Sequence, residues 1–188
     1  MTNLPALRTP EDAIAAAAAL VEIERLSYAM HELVNSPAAV DMSHRVFAYL
    51  SEATWWIASL NEQFIEVNKD GSYARARDAD DSGRLILGIV WVRDRISHQL
   101  PFTVSPDTRS MFAPKPGGVL HISAGYEWLP IEQIRSGRRY QDREQVYREQ
   151  FAEQGVVSGP AQIAVFFRAL LERDAACRIE LERIASIG

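Results

Sequence analysis

Arg93, Asp94 and His98 stand in the stretch Trp91-Val92-Arg93-Asp94-Arg95-Ile96-Ser97-His98-Gln99-Leu100-Pro101, directly behind a run, Leu87 to Trp91, that holds only apolar side chains and a glycine. A guanidinium, a carboxylate and an imidazole at the end of an apolar helix are groups able to grip a phosphodiester and move a proton. Asp94 and His98 lie four apart, so they share one helix face within hydrogen-bond reach. The carboxylate can orient the ring and raise its pKa, and the negative end of the helix dipole pushes the same way, so His98 is suited to general acid or base work near neutral pH. Arg93 lies about 140° around the helix from His98, and its long side chain or an unwound last turn must bring the guanidinium close. Placed there, it would hold a phosphate and stabilise the charge that develops as a 2′-hydroxyl attacks.

Spacing alone is weak support. With 18 arginines and 4 histidines in the chain, chance gives about one Arg-x(4 to 6)-His pair, and Arg25 with His31 is such a match. Requiring Asn, Asp or His directly after the arginine lowers the expectation to roughly 0.1. The apolar run before the cluster and the proline after it lower it further.

Arg93-Asp94-x-x-x-His98 resembles the motif of the HEPN superfamily of helical RNA-cleaving and RNA-binding domains, a resemblance confined to this one helix end. It implies metal-independent RNA cleavage or RNA binding, with Arg93 and His98 as the catalytic pair, Asp94 as the polar orienting residue and two copies brought together in a homodimer. It also implies a role of the kind such domains have in bacterial toxin–antitoxin and phage-defence systems, with an antitoxin or another protein as partner. Asp stands where the family more often has Asn. Two other accounts of the same residues are a solvated helix terminus with Arg93 capping carbonyls, and, for the whole chain, a non-enzymatic helical module that binds a protein partner.

Further candidates are diffuse. Arg95, Arg138, Arg139 and Tyr140 are candidate RNA contacts, within a segment where Arg135, Arg143, Arg148 and Tyr147 could add charge and stacking along a backbone. Asp142, Glu144 and Glu149 dilute it, and an ordinary solvated helix face accounts for the same residues. Asp41 with His44, and His31 with Glu32, are the only hints of metal ligation. The Glu-x-x-His pairs of di-metal bundles are missing, so no metal or other cofactor is expected. His121 reads as a structural histidine on a strand face. No Gly-rich phosphate loop or nucleophile elbow is present, which leaves nucleotide hydrolysis and serine-hydrolase chemistry without support.

Composition frames these readings. At 188 residues and 47% hydrophobic content, the chain can bury one sizeable core, and a single domain over 1–188 is expected. A net charge of -5 means that any nucleic-acid contact must rest on a local basic patch. The lone Cys177 excludes an intramolecular disulfide and fits a reducing interior. The longest apolar runs, Ala13 to Val21 and Leu85 to Val92, fall short of a bilayer span, and no basic region precedes the first of them. A cytoplasmic protein without membrane contact is the expectation.

The elements that must position the cluster are mainly helical. Thr9-Pro10-Glu11-Asp12 opens a first helix over about 10–35, with Ala19, Ile23, Leu26, Met30 and Leu33 as its buried stripe. A second helix carries Val46, Leu50, Ala53, Ile57, Leu60 and Phe64 and ends before Asp70-Gly71-Ser72, making an antiparallel pair with the first. After the polar stretch 69–83, a third helix has a core stripe of Leu85, Ile89, Val92 and Ile96. A second stripe of Leu87, Trp91, Asp94 and His98 marks it as a central or interface helix, stopped by Pro101. A loop-rich insertion follows at about 101–137, where Val119–Ser123 is expected to pair with Tyr126–Leu129. A fourth helix over 141–154 and a fifth from Ser158, with one apolar stripe from Ile163 to Ile184, complete a bundle of about five helices with a small loop or β-hairpin insertion after the third.

Overall fold

A computed structural model of the chain describes residues 7, 9–35, 42–96, 101–105, 125–134 and 141–187. These residues form a mainly α-helical bundle. Its helices are α1 (Pro10–Val34), α2 (Ser43–Val67), α3 (Ser72–Asp78), α4 (Asp81–Ile96), α5 (Gln141–Gln150), α6 (Ser158–Leu171) and α7 (Ala175–Ala185), with strands β1 (Phe102–Ser105) and β2 (Gly125–Trp128) between α4 and α5.

The first helix starts where its sequence signal places it. Thr9 accepts a hydrogen bond from the Asp12 amide while the Asp12 side chain accepts from the Thr9 amide, so two of the orphan donors at the helix start are satisfied together. The pair α1–α2 is antiparallel. Gln63 donates to the Asp12 carbonyl near one end, and Arg25 faces Glu52 farther along. Alanines at 13, 16, 17 and 19 leave little bulk on α1, and its stripe of Leu20, Ile23, Leu26 and Met30 is fully enclosed. On its other flank α1 meets α6, bridged by two 2.6 Å bonds from Arg168 to the two oxygens of Glu24.

α4 is the central helix, in contact with α2, α3, α5 and α6. Leu85, Ile86, Ile89, Val90, Trp91 and Val92 are all buried, as two apolar stripes require. Gly88 sits among them because α5 passes too close for a side chain. A Cβ there would lie 2.6 Å from the Phe151 ring, and one at Gly159 on α6 would lie 2.4 Å from the same ring. Phe151 therefore fills a slot with a glycine on either side. Around it, Trp91 and Tyr147 lie 4.7 Å apart, and Trp128 meets both Tyr147 and Phe151 edge-on. A second aromatic group, Phe64, Tyr73, Phe166 and Phe167, joins α2, α3 and α6.

Three parts of the architecture differ from the sequence reading. The polar stretch before α4 contains a helix of its own, because the chain turns at Gly71 (φ 76°) and re-enters helical geometry at the next residue. Only the last acids start α4, where the Asp80 carboxylate accepts from the Gly83 amide. The expected fifth helix is two, α6 and α7. Asp174 caps the second by accepting from the amides of Ala176 and Cys177, while the apolar spacing runs through the break undisturbed.

The hairpin partner also differs. β2 pairs antiparallel with β1, from Phe102↔Trp128 to Ser105↔Gly125, whereas 119–123 lies outside the described residues. Within the segment read as a loop-rich insertion, Phe102–Ser105 form a four-residue strand. β2 is bonded on its other side by the turn after α5. The amides of Trp128, Glu153 and Val156 pair with the carbonyls of Gln154, Trp128 and Tyr126.

Candidate functional site

The last turns of α4 carry Arg93, Asp94 and Arg95, and each residue has a different fate. Arg93 turns toward α2, donating from Nη1 to Glu62 Oε1 at 2.8 Å and from Nη2 to Asp94 Oδ1 at 3.1 Å. Partial burial works against its charge, but the Glu62 and Asp94 carboxylates outweigh that and raise its pKa above the usual arginine value. About a third of its side chain is open to solvent, as is about a third of Asp94. The cluster is a charged rim near the end of the central helix.

Arg95 points the other way. It is buried, with its guanidinium 3.6 Å from the centre of the Trp91 ring and Nη1 donating to the Trp91 carbonyl at 2.7 Å. Desolvation lowers its pKa. This arrangement combines a cation–π stack with a side-chain hydrogen bond to a carbonyl of the preceding turn. Arg95 was expected among the RNA contacts, but so placed it serves the packing of α4 against α5, and it would have to leave the indole to reach a phosphate.

His98, the proposed proton carrier, lies outside the described residues, as do Arg138, Arg139, Tyr140, Asp41 and His121. The structure thus brings Arg93 and Asp94 together and adds Glu62 to them. Glu62 was not singled out from sequence. It sits on the second helix with no local signal linking it to Arg93, and only the antiparallel packing of α2 on α4 joins the two.

The basic, tyrosine-containing segment divides likewise. Tyr147 is fully enclosed and its hydroxyl donates to the Leu129 carbonyl at 2.6 Å, so it is a core residue and not a stacking platform. Burial raises its pKa well above the ordinary phenol range. Arg148 is exposed and pairs with Glu132 at 2.9 Å. Among the described residues, no group of three or more His, Cys, Asp or Glu side chains comes together as a metal site, and His31 and His44 are both exposed. No helix among them is long and apolar enough to cross a membrane.

Away from this rim, two concavities stand out among the described residues. One, of about 750 Å³, opens between α2, α3, α4 and the start of α5 and is lined by Arg77, Arg84 and Arg143 with Ile65, Leu87 and Val146. The other, of about 340 Å³, is an apolar groove between α1 and α6, flanked by the exposed side chains of Tyr28 and Val165. Sequence reasoning missed the first because Arg77 lies in the stretch read as a polar connection. Comparison of the chain with protein-family models, curated proteins and solved structures gives no match.

Proposed function

We propose that the chain is a HEPN-like protein that cleaves or binds RNA without a metal ion, acting as a homodimer and serving as a toxin or phage-defence component with a protein antitoxin. The observation that supports this reading is the pairing of Arg93 and Asp94, partly open to solvent, on the last turns of the most enclosed helix of the bundle. Glu62 and Asp94 keep the guanidinium fully charged and restrict its swing, a condition for holding a phosphate through a reaction. In the proposed cycle Arg93 binds the scissile phosphate. His98, on the same face as Asp94 if the helix continues, takes the proton of the attacking 2′-hydroxyl or returns one to the leaving 5′-oxygen.

RNA degradation by the purified protein should persist in EDTA. Arg93→Ala and His98→Ala should each lower it about 100-fold or more, with growth inhibition lost in parallel. Full activity in His98→Ala would remove the catalytic assignment. Light scattering on the purified protein tests the dimer.

A second reading, a non-enzymatic module that binds a protein partner, is favoured by the α1–α6 groove, where Tyr28 and Val165 are 68% and 66% exposed. Exposed apolar side chains beside a groove are what a helical partner would cover. This reading replaces the first if Tyr28→Ser abolishes the biological effect while Arg93→Ala and His98→Ala leave it intact.

A further inference from the structure

The cleft between α2, α3, α4 and α5 collects three of the chain's arginines on an apolar floor, in a protein whose net charge is negative. Arg77 is built into the wall. It is about nine-tenths buried, its Nε donates to Asp78 at 2.9 Å, and its Nη1 donates to Asn61 at 3.3 Å. Asn61 is itself buried and also accepts from the Tyr73 hydroxyl at 3.0 Å, so the guanidinium is held from two sides. The Arg77 carbonyl is packed against Gly83 so closely that a Cβ there would lie 2.5 Å away, which fixes α3 against the start of α4. Among the described residues, Nη2 of Arg77 has no acceptor, and the exposed guanidinium of Arg84 across the cleft has none either. Arg143, on the first turn of α5, lines the same space.

From this arrangement we infer that the cleft binds a small phosphate monoester of mononucleotide size, its phosphate gripped by Arg77, Arg84 and Arg143 and its body resting on Ile65, Leu87 and Val146. The inference goes beyond the RNA-cleavage reading and does not depend on it. Arg77 is a fixed, desolvated guanidinium of the kind preferred for phosphate, Arg84 and Arg143 add charge from the cleft wall, and the volume falls within the range of small-ligand sites. Asp78 and Asp142 also line the cleft, and although Asp78 is occupied by Arg77, their charge disfavours a continuous polyanionic strand over a single phosphate. By the helical repeat of about 100° per residue, Arg84 lies about 180° around α4 from Arg93, so the two arginines serve different surfaces.

Calorimetric titration of the full chain with AMP tests the inference, with inorganic phosphate and a single-stranded RNA oligonucleotide as parallel probes. AMP should bind more tightly than inorganic phosphate. Arg84→Gln and Arg143→Gln, both at surface positions, should each weaken AMP about tenfold, the loss expected for one charged hydrogen bond. Arg93→Ala should leave AMP binding unchanged whether or not it abolishes RNA cleavage. Absence of AMP binding at about 10 mM, unchanged affinity in Arg84→Gln and Arg143→Gln, or RNA binding weakened by these two variants while AMP fails to bind would each overturn the inference.

Discussion

Arg93 and Arg95 show how two residues of one type, two positions apart, are separated by their surroundings. Arg93 is paired on the rim and Arg95 stacks inside on Trp91. The Arg93–Glu62 pair is partly solvated, with side chains 31% and 59% exposed, so it contributes little to stability. Glu62→Gln should lower the unfolding free energy by no more than about 1 kcal/mol in urea titration. The unfolding free energy of Arg93→Ala, read in the same titration, separates an activity loss from unfolding. Cys177 offers a separate test. Its burial, reinforced by the nearby Asp174 charge, pushes the thiol pKa from 9.0 up to about 12. The folded state therefore holds this proton more tightly than the unfolded chain, and stability should fall as pH rises from about 9 toward about 12. Native protein at pH 8 should resist thiol alkylation and react once denatured, and Cys177→Ala should make the alkaline loss shallower. The buried phenols of Tyr73 and Tyr147 leave a residual slope. At this scale the sequence disclosed the Arg93–Asp94 cluster, since both residues follow an apolar run on one helix. It could not disclose Glu62, Asn61 or Arg77, whose roles arise from side chains brought together across separate helices.

Among the elements, α4 and α5 meet at Gly88 without room for a side chain. A glycine inside a helix sacrifices about 1 kcal/mol of propensity relative to alanine, yet here it admits the Phe151 ring. Gly88→Ala should therefore destabilise by about 1–3 kcal/mol in spite of its better helix propensity. Trimming the ring with Phe151→Leu in that background should recover part of the loss, read from thermal or urea midpoints. A stabilised Gly88→Ala protein would mean that α5 can withdraw freely. The helices were legible wherever their caps and stripes are local. Thr9 and Asp12 set the start of α1, and Leu85 to Val92 marked α4 as central. Legibility failed where periodicity concealed a boundary, as at Asp174, and where a break was followed at once by a new helix, as at Gly71. The partner of β2 was misread because strand pairing joins residues distant in sequence, whereas turn signals report only neighbours.

On the scale of the whole molecule, residues far apart in sequence close the bundle on itself. Glu24 on α1 and Arg168 on α6, 144 positions apart, are joined by two 2.6 Å bonds. The β1–β2 ladder works differently, because its last pair, Ser105↔Gly125, holds the two ends of the intervening stretch side by side. Antiparallel partners lie about 5 Å apart, a gap that a two-residue turn can close. Replacing residues 106–124 with Asn-Gly should leave helical circular dichroism intact and change the unfolding free energy by less than about 1 kcal/mol. A loss above about 3 kcal/mol would show that the excised stretch supports the helices. Because four residue pairs fix where the chain leaves and re-enters the ladder, the two ends of the intervening stretch are anchored terminals, however many residues separate them in sequence.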